Sequence, residues 1–283
     1  RAKEITIQDT PPEPSDYLRH VMKNTPIEQI WRNINPLMLL GRHLGIKGGT
    51  VRQLEKAATD AALRRELEVS EPKSLAIWDA VQELKSEYKN HDVMKPSAVY
   101  QFFRAASEGN KLNIYTDGAD PSSASPTVQY DFPRQKKIEG LCLADYVNPV
   151  STTELRTKPD NIGMFVVSVG HGVRELADIL KNKGEYLKSH ALQALALESA
   201  EAYAELLHSQ MRKIWGFPDA PEMTMMERFQ ARYRGKRYSF GYPACPRLDD
   251  QAALFGLLKP EEIGVQLTEG FMMDPEASVS AIV

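Results

Sequence analysis

The spacing of apolar residues changes along the chain, and each change marks a different kind of element. From about residue 17 to 90 the spacing is helical. Leu54, Ala58, Ala61 and Leu63 stand among charges over 51–69, and Leu75, Ile77, Trp78, Val81 and Leu84 repeat the pattern over 74–88. Thr50 and Ser74 are placed to cap these two helices, because a side-chain oxygen can accept from a free N–H of the first turn. Strand texture follows over 98–106 and 112–116, on either side of the hairpin turn Glu108-Gly109-Asn110. A Gly/Pro/Ser loop occupies 117–126, and 127–132 resumes as a strand.

Residues 162–169 are a continuous apolar run of strand length, ended by Gly170-His171-Gly172. That Gly-x-Gly lacks the third glycine of a dinucleotide fingerprint and reads as a tight strand-to-helix turn. One long helix is expected over 185–213, carrying Leu187, Leu192, Leu195, Leu206 and Met211, with Pro218 and Pro221 beyond its end. A short helix over 224–231, another over 250–258 and a pair of strands over 265–272 and 277–283 complete the pattern. The strands are too few and too irregular for a β/α barrel. The elements predict an α+β domain with a mixed or antiparallel sheet, an N-terminal helical layer and one long central helix. Residues 1–16, polar and carrying Pro11, Pro12 and Pro14, read as an extended linker from an upstream domain, which leaves 17–283 as a single domain. The chain opens on Arg1 and stops inside the alternating run 277–283, so it reads as part of something longer, truncated at its C-terminal end.

One stretch is not what core-building alone would select: Arg237-Tyr-Ser-Phe-Gly-Tyr-Pro-Ala-Cys-Pro246. Pro243 and Pro246 fix their own φ and remove two backbone donors. They also push Tyr242 and Cys245 toward extended geometry, while Gly241 permits either sign of φ and a close approach by another group. The result is a stiff, irregular ribbon whose backbone groups suit a sheet ladder poorly and must find other partners if buried. Arg232, Arg234, Lys236 and Arg237 precede it, so an anionic group could be held alongside a small planar ligand.

Composition narrows the classes. With 283 residues, 42% hydrophobic and 26% charged, the chain has enough apolar material for a real core. A formal net charge of −3 argues against a dedicated nucleic-acid binder, so the basic cluster from Arg228 to Arg237 reads as a solvated face or a phosphate-sized patch. No run approaches the roughly 18 apolar residues of a membrane helix, and no signal peptide opens the chain. Two cysteines far apart, Cys142 and Cys245, fit a reducing compartment, and a cytoplasmic location is expected.

Enzyme signatures are mostly missing. There is no Gly-x-Ser-x-Gly elbow, P-loop or His-Glu-x-x-His, and the six histidines show no metal-ligand spacing. The Asp-x-His-x-x-Gly string of cobalamin-binding modules is also absent, so the chain is not expected to hold a corrin by itself. Cys245 reads as a small buried residue rather than a nucleophile, since nothing basic is fixed beside it in sequence.

Gly-Tyr-Pro-Ala-Cys-Pro at 241–246, followed by Leu-Thr-Glu-Gly-Phe-Met-Met at 267–273 and Ala-Ser-Val-Ser at 277–280, resembles the C-terminal activation domain of cobalamin-dependent methionine synthase. Leu-Ala-Asp-Tyr-Val at 143–147, Asp-Asn-Ile-Gly-Met-Phe at 160–165 and the helical run 198–208 agree in order, so the likeness covers most of 138–283 and is weak over 1–110. The resemblance implies a single C-shaped domain with its ligand on the concave side. It further implies that the domain binds S-adenosylmethionine and presents the methyl group to cobalamin held on a neighbouring domain, after a flavodoxin-type reductant delivers an electron. Carried over by position, Arg237 would grip the ligand's carboxylate, a role suited to an always-charged planar guanidinium. Tyr238 and Ser239 would lie beside the adenine, Gly241, Tyr242 and Ala244 would line the ribbon, and Glu201 would stand near the sulfonium. The family's N-terminal acidic contact falls near Glu28 or Gln29, and Glu28 is taken. Ala231 stands where relatives often have Glu, and the His-Pro-x-x-x-Tyr segment that closes the family's site is not in the sequence. Two other readings stay open: an interaction module of the same fold that docks on a cobalamin protein without retaining the ligand, and a free-standing methyltransferase.

Overall fold

In the computed structural model, which describes residues 2, 5–89, 91–136, 140–150 and 158–283, most of the strand-forming runs join one six-stranded antiparallel sheet. A short β1 (His20–Met22) leads into the N-terminal helical layer: α1 (Ile27–Trp31), a π-helical segment (Leu37–His43), α2 (Gly48–Ala57), α3 (Ala61–Ser70) and α4 (Pro72–Tyr88). Then come β2 (Ser97–Glu108), β3 (Lys111–Tyr115), β4 (Val128–Asp131) and β5 (Asp160–Ser168), followed by α5 (Val173–Asn182) and the long α6 (Tyr186–Ile214). The chain closes with α7 (Met225–Phe229), α8 (Gln251–Leu258), the short β6 (Gln266–Leu267) and β7 (Met273–Asp274), and β8 (Ser278–Ile282). Strand order is β4-β3-β2-β5-β8, with β1 also on β2. The expected α+β class is what the structure has.

Side-chain alternation shows why the sheet sits in the middle. On β5, Phe165 and Val167 join the core shared with α1–α6, while Ile162, Met164 and Val166 join a second core with α8 and the 240–258 segment. On β2 the same split puts Ala98, Tyr100 and Phe102 on the helical side and Val99, Phe103 and Ala105 on the other. Successive residues of a strand face opposite ways, so a strand buried on both faces must be apolar at nearly every position. Each buried aliphatic or aromatic side chain there contributes about 1.5–3 kcal/mol.

Three local expectations are corrected. The helix expected over 51–69 is two helices, because Asp60 caps α3 by accepting from Ala62 N at 3.0 Å and Leu63 N at 3.1 Å. An aspartate that satisfies free first-turn donors starts a helix better than it continues one. Thr50 lies inside α2, and Ser74 lies inside α4, which starts at Pro72, the residue type best tolerated in a first turn. Residues 265–272 and 277–283 do not pair with each other: β6 pairs β7 in a small exposed ladder, and β8 pairs β5 from Met164↔Ile282 to Ser168↔Ser278. All five β8 residues are buried, so the strand needs a covered partner that the half-exposed 266–274 hairpin cannot give.

The long helix is as expected. The 29 residues of α6 span about 44 Å at 1.5 Å per residue. Its end is fixed at Gly216, φ +92°, where Phe217 N reaches Arg212 O at 3.0 Å, a left-handed closure that glycine makes without penalty. Residues 5–16 are extended and tied to the body: Trp215 Nε1 and Asn161 Nδ2 donate to Pro12 O, and Asn148 Nδ2 donates to Gln8 O. Among the described residues no helix is long and apolar enough to cross a membrane.

Candidate functional site

α6 is rich in small residues, and Ala194, Ala196, Ala200, Ala202 and Ala204 are all buried. Through this apolar rod runs a polar stripe: Glu198, Glu201, Glu205, His208 and Arg212, at helical spacings of three and four. The stripe faces the edge strand β8, and the gap between them is a cleft of about 480 Å³. Glu198, Glu201 and Glu205 form one wall, Glu276–Val279 the other, and Asn33, Asn35, Met38 and His43 of the N-terminal layer close one side. That volume falls in the range that holds a small organic ligand.

Arg237 enters the cleft from the segment after α7. Its Nη1 donates to Glu205 Oε2 at 2.6 Å, and Nη2 lies 3.7 Å from Glu201 Oε2. Burial acts against its charge, but the Glu205 carboxylate overrides burial and raises the pKa above its already high ordinary value. Glu201 is the exposed member at the cleft mouth. Deeper in, His43 Nε2 and Glu198 Oε1 are 2.9 Å apart. Burial pushes the Glu198 carboxyl up, while His43 opposes the shift. His43 ends the π-helical turn, an uncommon backbone form often found at functional places.

Behind Arg237 the stripe continues into a buried ionic cluster. Arg212, fully buried, makes a two-pronged bond to Asp219, Nε to Oδ1 at 2.7 Å and Nη2 to Oδ2 at 2.8 Å. Arg228 Nε lies 3.3 Å from Asp219 Oδ2, and Arg212 Nη2 lies 3.9 Å from Glu205 Oε1. The buried His208 sits edge-on to Tyr233. Burial, with Arg212 and Arg237 close by, depresses its pKa to about 2, so the ring is neutral.

After Arg237 the ribbon leaves the cleft by crossing the edge of the sheet. Tyr238 pairs with Ile282 as an isolated bridge, and Ser239 Oγ donates to Ser280 O at 2.7 Å. Phe240 and Cys245 then pack into the core on the far face. Gly241 has φ +87°, and its N–H meets Cys245 O at 2.9 Å, which closes a tight loop. Tyr242 at its tip is exposed and Ala244 half-buried. Of the expected site residues, the structure thus brings Arg237 and Glu201 together in the cleft. Tyr238, Ser239, Gly241, Tyr242 and Ala244 run on from them and do not line it. Glu28 does not line the cleft either: it sits in the first turn of α1, paired with Lys89 Nζ at 2.7 Å. The N-terminal layer instead contributes Asn33, Asn35, Met38 and His43, none of them marked by sequence reasoning. Glu198 and Glu205 were also missed, although the spacing of carboxylates along an alanine-rich helix was there to read.

The model of the vitamin B12-dependent methionine synthase activation domain matches residues 54–283, which contain most of the sheet, all of α6 and the whole cluster behind Arg237. The chain belongs to this activation-domain family. It is similar to the methionine synthases of Mycobacterium tuberculosis, 32% identical over 198 residues, and Mycobacterium leprae, 31% identical over 195. Both matches cover 66% of the chain and 16% of the relative, so the chain spans about a sixth of those enzymes. A crystal structure of the MetH reactivation domain bound to AdoHcy superposes with a TM-score of 0.82 at 28% identity, covering 96% of this chain and 80% of the other. The activation-domain fold therefore extends over the N-terminal helical layer, where the sequence likeness is weak.

Proposed function

We propose that this activation domain binds S-adenosylmethionine in the cleft between α6 and β8 and offers its methyl group to cobalamin held on a neighbouring domain. The observation that carries the reading is Arg237 reaching the cleft with Glu201 beside it at the mouth, a positive and a negative group 3.7 Å apart on one small-molecule-sized space. S-adenosylmethionine has the complementary pattern, a carboxylate at one end and a sulfonium near its middle. Likeness to a domain whose structure holds AdoHcy, the demethylated product, supports the same ligand class here.

Bound S-adenosylmethionine supplies a methyl group already activated by the positive sulfur, so the acceptor needs no general base. The chain's own tasks are to grip the carboxylate through Arg237, to place Glu201 near the sulfonium, and to let the nucleoside reach out of the cleft toward the ribbon 238–244 that runs on from Arg237. Binding and orientation of this kind can account for large rate effects without acid–base groups. The cobalamin-bearing neighbour and a flavodoxin-type reductant are the partners this role requires. A docking module that has given up its ligand has no use for a half-buried guanidinium aimed into a cleft, which favours the ligand-binding reading.

Titration calorimetry with S-adenosylmethionine tests it. Wild-type protein is expected to bind, and Arg237→Ala to weaken binding by about 1.5–3 kcal/mol, the size of one charge-assisted contact. Equal affinity in the two proteins would remove Arg237 from the site.

A further inference from the structure

We infer that Glu205 is a positioning residue for ligand recognition: it holds Arg237 back on the α6 wall so that the unused donors of the guanidinium face a ligand carboxylate. The inference rests on the ligand reading above and adds a residue to which nothing else assigns a role. Three observations carry it.

Geometry comes first. Glu205 is 7% exposed at its side chain and Arg237 20%, and the 2.6 Å bond between them uses one edge of the guanidinium. Arginine carries five N–H donors in a rigid plane, so fixing one edge sets the direction of the other. Glu205 is itself restrained: Oε2 also accepts from Tyr233 Oη at 3.5 Å, and Oε1 looks toward Arg212, which Asp219 locks from the far side.

Charge balance comes next. Arg212, Arg228 and Arg237 oppose Asp219, Glu205 and Glu201, and of these three carboxylates only Asp219 and Glu205 are buried. The second carboxylate of Arg237, Glu201, is exposed and more distant than Glu205, and of the three arginines only Arg237 lines the cleft. A guanidinium with one edge fixed by a buried carboxylate and only an exposed, distant one on the other keeps donors that a ligand carboxylate can take.

The third observation is a competitor. Glu201 lies one helical turn before Glu205, is 56% exposed, and stands 3.7 Å from Arg237 on the solvent side. Without Glu205, the guanidinium would turn outward to Glu201 and spend on it the donors the ligand needs. Glu205 and Glu201 therefore have different tasks despite their identical chemistry, the buried one aiming Arg237 and the exposed one facing the ligand.

Two ligands separate aiming from folding: S-adenosylhomocysteine, which carries the amino-acid carboxylate, and 5′-methylthioadenosine, which keeps the nucleoside and thioether without it. Calorimetry of the wild type, Glu205→Gln and Glu205→Asp gives three affinity ratios for the pair. Glu205→Gln should weaken S-adenosylhomocysteine about tenfold and 5′-methylthioadenosine less than twofold. Glu205→Asp keeps the charge that the fold needs and retracts the acceptor by one methylene, and it should fall between the wild type and Glu205→Gln. A drop for both ligands alike in either variant, or unchanged S-adenosylhomocysteine affinity, overturns the aiming role and leaves the ligand reading standing. If Glu205→Gln does not fold, Glu205→Asp alone decides by the same ratio. A wild type that binds S-adenosylhomocysteine no better than 5′-methylthioadenosine overturns the ligand reading itself, and the aiming role with it.

Discussion

The guanidinium of Arg212 lies 3.7 Å from the centre of the Tyr233 ring, within the range of a cation–π contact. The aromatic face covers one side of a charge that has no exposure to water, and Asp219 takes its edge through two hydrogen bonds. Tyr233 belongs to the segment that delivers Arg237, and Arg212 to the helix that carries the polar stripe, so this contact ties that segment to α6 behind the cleft. Buried ion pairs of this kind add little net stability but are expensive to break, because removal of one partner strands the other charge.

Asp219→Ala should therefore destabilise the domain by about 3–5 kcal/mol, the range for opening a buried pair. It leaves Arg212 and Arg228 with no carboxylate between them except the more distant Glu205. Urea denaturation checks this, and a loss below about 1 kcal/mol, the range of an exposed pair, would mean that water reaches the cluster.

His208 gives the stability a pH dependence of known sign. Its folded pKa is depressed to about 2 by burial and by Arg212 and Arg237, against 6.5 for an ordinary histidine. Below that ordinary value the unfolded chain binds a proton that the folded chain refuses, so stability is full above about pH 6.5 and falls as pH drops. The contribution of this one group should approach about 1.4 kcal/mol per pH unit below roughly pH 6, and the difference between wild type and a variant without it isolates that contribution from the carboxylates. His208→Leu removes the titrating group and should flatten that part of the curve. An equal slope in the variant would assign the effect to other groups.

What could be read in the sequence follows from how local each signal is. The 29-residue helix, the 97–116 hairpin and the buried run of β5 all rest on repeats within a few residues, and all are present. Thr224 and Glu227 form a full capping box at the start of α7, another local device that puts the short helix where it was expected. β8 was placed with the wrong partner because its alternation says that it is a strand and nothing about which strand covers it. Glu28 shows the same limit: an acidic residue in a first turn serves helix and surface pairing as readily as a ligand, and its pairing with Lys89, far away in sequence, could not be read locally. Arg237 stands out in the sequence because the ribbon beside it is chemically unusual, and the structure puts it in the cleft lining. Glu205 looked like one more glutamate on a helix until the fold buried it.

Both thiols should be unreactive in the folded protein. Cys142 and Cys245 are 2% and 1% exposed, and burial pushes both pKa values up, that of Cys245 to about 11. The reactive species is the thiolate, so such groups react only when the chain opens. A chromogenic disulfide reagent at pH 8 should therefore titrate both thiols in denaturant and neither without it within minutes. Rapid reaction of one thiol under native conditions would show that its surroundings open on that timescale.

Gly241 and Pro243 stiffen the ribbon in opposite ways, and substitutions should separate the two effects. At Gly241 an added Cβ would find only ordinary contact, with Leu248 Cδ1 at 3.4 Å, so space is not the obstacle. The obstacle is φ +87°, which a β-branched residue avoids, at about 1–3 kcal/mol for a residue forced to stay there. Relief by rotation to negative φ would break the Gly241 N–H to Cys245 O bond that closes the loop. Gly241→Val should thus lower both stability and S-adenosylmethionine affinity. Pro243→Ala leaves the folded loop sterically content and frees only the unfolded chain, so it should cost a few tenths to about 1 kcal/mol of stability. Denaturation midpoints beside calorimetric affinities for the two variants give the comparison. A Gly241→Val protein as stable as Pro243→Ala would mean that the loop tolerates a changed φ and that its tight closure is not what holds the ribbon in place.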